Sequence, residues 1–83
     1  MSDTYEGWKN YATWNVSLWI NNDYNLYVDA VDFMAKNKTI RSPYRAFINF
    51  CGLAGSRTPD KCSWLGIRLD YAALDDMMRE LNE

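Results

Sequence analysis

Apolar residues recur with a helical period in four stretches of the chain, and each stretch is bounded by residues that start or stop helices. In the first, Tyr11, Trp14 and Leu18 fall at i, i+3 and i+7, and Val16, Trp19 and Ile20 broaden the stripe. Asn10 and Thr13 are both suited to cap its start, and Asn21-Asn22-Asp23 is a stop followed by a new cap. The second stretch, near Tyr24 to Asn37, repeats Leu26, Tyr27, Ala30, Val31, Phe33 and Met34 at i, i+3, i+4, with Asp29 and Asp32 on the other side and Lys36 and Lys38 at its end. Ser42-Pro43 opens the third, because proline at the first helical position lacks only a donor that has no partner there. Tyr44, Phe47, Ile48 and Cys51 form its face, and Gly52 ends it. The fourth is capped by Asp70, with Leu69 and Leu74 at the spacing of a hydrophobic staple and Leu74, Met77, Met78 and Leu81 as its stripe.

The pattern predicts an all-α fold (mainly): a compact single-domain bundle of about four short helices. Residues 1–9 read as a loose lead-in broken at Gly7, with Tyr5 and Trp8 able to dock back onto the body. Residues 53–69 lack a period. Gly55-Ser56 and Thr58-Pro59-Asp60-Lys61 read as turns with proline at i+1; Trp64-Leu65 and Ile67 are apolar and expected to need shelter, and Trp64 is the expected anchor of a segment with room for a short extended or 3₁₀ piece. In the first helix Trp14, Leu18 and one of Trp19 or Tyr11 are the expected core residues, with Trp14 placed so deep that Trp14→Ala should unfold the domain.

Composition sharpens this picture. The chain has 83 residues and thirteen aromatic rings, enough to give a short chain an efficient core. Asn10 to Tyr27 alone holds two tryptophans, three tyrosines and five asparagines. Thirteen rings exceed what one inward face per helix uses, and Tyr5, Trp8, Tyr24 and Tyr44 are the candidates for a surplus available to a partner. Charge is segregated. Residues 36–68 carry seven basic side chains against Asp60, while both ends are acidic, and the sum is −2. The middle is either neutralised within the fold or offered to an anionic partner.

Much chemistry is excluded. With no histidine, the commonest general base and metal ligand is missing. Cys51 and Cys62 are too few for a zinc site or a disulfide framework. No phosphate-binding glycine loop and no calcium loop occurs. The pairs Asp29/Asp32 and Asp76/Glu80 read as solvated helix faces, Cys51 as a small core residue, and Cys62, beside Lys61, as the more exposed and reactive thiol. No enzyme activity, cofactor or metal is expected. No apolar h-region and no run of about 20 apolar residues is present, so a cytoplasmic protein is expected.

The stretch NYATWNVSLWINND followed by Leu26-Tyr27 resembles an N-Y-x-T-W-N-V-x-L-W motif of small uncharacterised proteins from bacteriophages and some bacteria. TPDKCSWLGIRLDYAALDDMM is similar to the segment that closes many of them. The resemblance implies a phage-type accessory protein in the host cytoplasm that binds a host protein, such as a defence nuclease or another nucleic-acid-processing complex, and inhibits it. The residues expected to meet that partner are Lys36, Lys38, Arg41, Tyr44 and Arg45 around the turn into the third helix, with Tyr24 and Trp8. The alternative is a small nucleic-acid-binding protein using the basic 36–68 segment, against which stands a pI near 4.9.

Overall fold

The computed structural model describes residues 4–81, which form four helices: α1 (Tyr11–Asn22), α2 (Tyr24–Lys36), α3 (Pro43–Phe50) and α4 (Tyr71–Glu80). The caps explain the boundaries. Asn10 Oδ1 accepts from the Thr13 amide at 2.9 Å and starts α1. Asp23 serves twice, since its amide donates to the Trp19 carbonyl at the end of α1 and its carboxylate accepts from the Leu26 amide at the start of α2. A single residue thus turns the chain from one helix into the next. Ser42 makes no side-chain cap, and α3 opens on Pro43 with the Tyr44 amide donating to Asp75 Oδ1 of α4 at 3.0 Å. At the other end of α3, the Gly52 amide donates to the Asn49 carbonyl and the Leu53 amide to that of Ile48, a Schellman arrangement that places Gly52 at φ +72°. Asp70 caps α4 through the Ala73 amide, and Leu69 and Leu74 are both buried at the staple positions.

Helix α1 packs on α2 and α3 on α4, while contacts of α2 and α1 with α4 close the bundle. The core runs through Val16, Ile20, Ala30, Phe33, Met34, Tyr44, Phe47, Ile48, Trp64, Leu69, Leu74 and Met78. The expected anchor Trp64 is therefore in place, and the α4 stripe is inward as read.

Three expectations fail. The inward face of α1 is not Tyr11, Trp14 and Leu18. Thr13, Val16, Ser17 and Ile20 are buried together with Asn15, while Tyr11 is exposed and Trp14, Leu18 and Trp19 are only half-buried. Apolar periodicity misplaced this face because three of its five buried residues are polar. Tyr44 is also no surplus ring. It is fully buried, its hydroxyl donates to the Trp64 carbonyl at 2.6 Å, and burial raises its pKa well above the ordinary tyrosine value. Nor are residues 4–9 loose. Tyr5 and Trp8 exchange two 2.7 Å backbone hydrogen bonds across Glu6 and Gly7, both at positive φ, which is the two-residue turn of a tight hairpin. The Tyr5 ring then packs on Trp14 and Tyr11, with centroids 4.7 and 5.1 Å away. Residues 1–3 and 82–83 of the expected single domain lie outside the described residues.

The buried face of α1 and its half-buried Trp14 side therefore differ in consequence. Ile20→Ala should cost about 2–5 kcal/mol through the cavity it leaves. Trp14→Ala, which removes a half-buried ring from a surface aromatic cluster, should cost about 1–2 kcal/mol and release the Tyr5 turn. Urea denaturation of both variants checks the order, and a Trp14→Ala cost above that of Ile20→Ala would contradict it.

Candidate functional site

The irregular segment is ordered by polar side chains of α1 rather than by strands. Among the described residues the only β pairings are the isolated bridges Tyr5–Trp8 and Arg57–Ser63. Thr58-Pro59-Asp60-Lys61 is the expected turn, closed by the Lys61 amide on the Thr58 carbonyl at 2.7 Å, with Lys61 at φ +70°. Buried Asn15 grips it. Asn15 Nδ2 donates to Asp60 Oδ2 at 2.8 Å, and Asn15 Oδ1 accepts from Thr58 Oγ1 at 2.6 Å. Trp19 Nε1 donates to the same Asp60 oxygen at 3.0 Å, and the Cys62 amide donates to Thr58 Oγ1 at 3.1 Å. A second tie lies one turn earlier in α1. Asn10 Nδ2 donates to the Arg68 carbonyl at 2.8 Å, and Thr13 Oγ1 accepts from the Asp70 amide at 3.0 Å. No buried side-chain nitrogen or oxygen among the described residues lacks a partner.

These ties hold up the turn at Gly66-Ile67-Arg68. The Gly66 carbonyl accepts from Tyr71 Oη at 2.8 Å and from the Leu69 amide at 3.4 Å. Between these fixed points Ile67 stands 99% exposed. Next to it, the Arg45 guanidinium lies over the Tyr71 ring at 3.8 Å from its centroid, a cation–π contact. Arg79 Nη2 donates to the Arg41 carbonyl at 3.0 Å, and Arg79 also pairs with Asp76 at 3.1 Å. Exposed Ile67 and Arg68 on this braced turn, together with exposed Arg45 on the Tyr71 ring that holds Gly66, make up the candidate surface, and exposed Arg79 meets the Arg41 carbonyl ahead of α3.

Of the seven sequence candidates, Arg45 belongs to this surface through Tyr71, while Arg41, whose carbonyl meets Arg79, and Lys38 are exposed in the segment between α2 and α3. Tyr44 is core. Lys36 pairs with Asp32 at 3.1 Å on α2, and Tyr24 is 78% exposed on the outer side of α2. Trp8 is half-buried in an open groove of about 310 Å³ with Gly7, Ala73, Asp76, Met77 and Glu80. Ile67 is a correction: an apolar residue expected to need shelter with Trp64 and Leu65 is left in solvent, because the turn that carries it is held by its backbone and by Tyr71 rather than by packing of the isoleucine. Arg68 was read only as one charge of the basic middle, and Tyr71 carried no signal. Cys62 is corrected too. It is half-buried, and burial raises its thiol pKa, with Asp60 adding to the rise against a Thr58 hydrogen bond, so it is no activated thiolate. No cluster of three or more metal-ligating side chains occurs among the described residues.

The whole chain, residues 1–83, matches one sequence family. It belongs to the DUF7249 family of unknown function. No curated protein and no solved structure matches it. Within this family member the N-Y-x-T-W-N stretch and the T-P-D segment meet physically, because Asn10, Thr13, Asn15 and Trp19 bind the 58–70 segment. None of the helices among the described residues is long and apolar enough to cross a membrane.

The tie should be measurable. Asn15→Ala strands the Thr58 hydroxyl and removes a donor from Asp60, and should cost about 1–3 kcal/mol. Hydrogen bonds from Asn15 and Trp19 hold the Asp60 carboxyl below its ordinary 3.8. The stability it contributes is therefore complete above that value and lost as pH falls through the lower folded value. The gap in urea midpoint between wild type and Asp60→Asn should be constant near neutrality and close in acid. A gap that persists at the lowest pH would show that the carboxylate is not the stabilising group.

Proposed function

We propose that this protein is a stoichiometric interaction protein, a phage-type accessory factor that binds a host protein in the host cytoplasm through the Ile67 surface. It carries out no catalysis and uses no cofactor. The observation that carries the reading is Ile67 itself. A fully exposed β-branched side chain on a turn held at Gly66, Arg68 and Leu69 loses little freedom on entering a pocket, and preorganisation of this kind is what makes an anchor. Arg45 on Tyr71 adds the arginine and tyrosine that interface centres favour. The resemblance to phage proteins supplies the host partner and the mode of action. Occupation of a working surface inhibits the complex it belongs to, a host defence or nucleic-acid-processing complex.

The exposed arginines Arg41, Arg45, Arg68 and Arg79 support a second reading, direct nucleic-acid binding. Two observations weigh against it. The Tyr71 ring is covered by Arg45 and so is closed to a stacking base, and Arg79 is paired with Asp76.

The test is a pull-down of tagged protein from host lysate, with and without nuclease. Ile67→Asp changes a residue with no packing to lose, so its melting temperature should match wild type. A stoichiometric protein should survive nuclease treatment on the wild-type chain and be lost on Ile67→Asp, a weakening of about 2 kcal/mol or more. Recovery that depends on intact nucleic acid and is abolished by Lys38→Glu/Arg41→Glu/Arg45→Glu would replace this reading with the second.

A further inference from the structure

A second, independent surface lies on α2. Its inward residues, Leu26, Ala30, Phe33 and Met34, seat the helix on the core. Its apolar character does not stop there. Tyr24, Val28, Val31 and Ala35 follow one another at spacings of four, three and four, which is the repeat of a helix–helix seam, and Tyr27 joins this stripe to the core side. On a wheel of about 100° per residue the apolar arc spans roughly 220°, about twice what a surface helix needs to seat itself. Tyr24, Tyr27 and Val28 are exposed. Tyr27, Val28, Val31, Asp32 and Ala35 line one open groove of about 380 Å³ with Leu81, which follows α4.

We propose that this groove takes a cationic amphipathic helix of a partner protein, an interaction beyond the one made by the Ile67 surface. The seam spacing selects a helix, since such a stripe receives side chains arriving every three or four residues. The charge selects its flanks. Helix α2 and its cap carry Asp23, Asp29 and Asp32 against Lys36 alone. Lys36 already pairs with Asp32, with both side chains largely in solvent. An incoming helix with lysine or arginine beside its apolar face meets unbalanced carboxylates. A second copy of this chain fits less well, because antiparallel pairing of two α2 helices sets the Asp29 and Asp32 flank against the same acidic flank of the other copy.

The probe is a pair of synthetic helices with leucine at the seam positions, one flanked by lysine and one by glutamate, titrated into the full chain and followed by amide NMR shifts. The lysine-flanked helix should move the amides of Val28, Val31 and Ala35 and bind at least about tenfold tighter than its glutamate counterpart. Tyr24→Gln/Val28→Gln, which alters exposed side chains without changing charge, should weaken it at least about tenfold, whereas Ile67→Asp should bind it as wild type does. Equal binding of the two helices, shifts confined to other surfaces, or binding unaffected by the double variant would overturn the proposal. So would a doubling of the 9.7 kDa mass in light scattering that the double variant abolishes, which would assign the groove to a second copy.

Discussion

Everything on the Ile67 side of the molecule depends on one buried amide. Asn15 lies within α1, fully buried, and its two polar atoms meet the Asp60 carboxylate and the Thr58 hydroxyl. Without them the 53–69 segment would be a long loop tied to the bundle chiefly by Trp64 and its neighbours. With them, and with Asn10 and Thr13 on the same helix, the segment is fixed at residues 58, 60, 68 and 70. The helix supplies rigidity through polar contacts because buried amides and hydroxyls must be paired to be tolerated. That requirement is directional in a way that apolar packing is not, and it sets the turn in one register.

This polar inward face also explains where the sequence could and could not be read. The helix ends were legible because caps are local chemistry. Asn10, Asp23, Asp70, Pro43 and Gly52 act within a few residues of themselves, and each does in the structure what its type suggests. The stripe of α4 was legible because its inward residues are apolar. Helix α1 was not, because Thr13, Asn15 and Ser17 occupy positions that a hydrophobicity pattern assigns to solvent. Asn15 and Thr13 have partners 43 to 57 positions along the chain, which nothing near them in sequence announces, and Ser17 is buried with its hydroxyl on the Trp14 carbonyl of its own helix. Tyr44 was misjudged for the related reason that its hydroxyl partner, the Trp64 carbonyl, is 20 residues away. Of the candidate surface, Arg41 and Arg45 were visible as charge. Ile67 and Tyr71 became meaningful only once the fold had placed Gly66 beside one end of the Tyr71 ring and Arg45 over its face.

The charge segregation seen along the chain survives folding in altered form. The acidic ends do not blanket the basic middle. Asp75 meets the Tyr44 amide and Asp76 meets Arg79, but Arg45 rests on a ring and Arg68 has only its carbonyl engaged. Meanwhile α2 keeps its carboxylates beside an apolar groove. The protein therefore exposes Ile67 with Arg68 beside it in sequence and Arg45 on the Tyr71 ring that holds the turn, and keeps carboxylates along α2 beside an apolar groove, within a body measuring 40 × 23 × 22 Å.

The ties from α1 also set the order in which such a chain can fold. They join residues 43, 57 and 58 positions apart. Ordinary helical bundles are dominated by local contacts and fold fast for that reason, whereas distant pairings must wait until loop-closure entropy has been met. The helices and their apolar faces can assemble early, but the hydrogen bonds that shape the Ile67 turn can form only after α1 and α4 have been brought together. The turn that carries Ile67 therefore depends on contacts that local helix formation alone cannot supply.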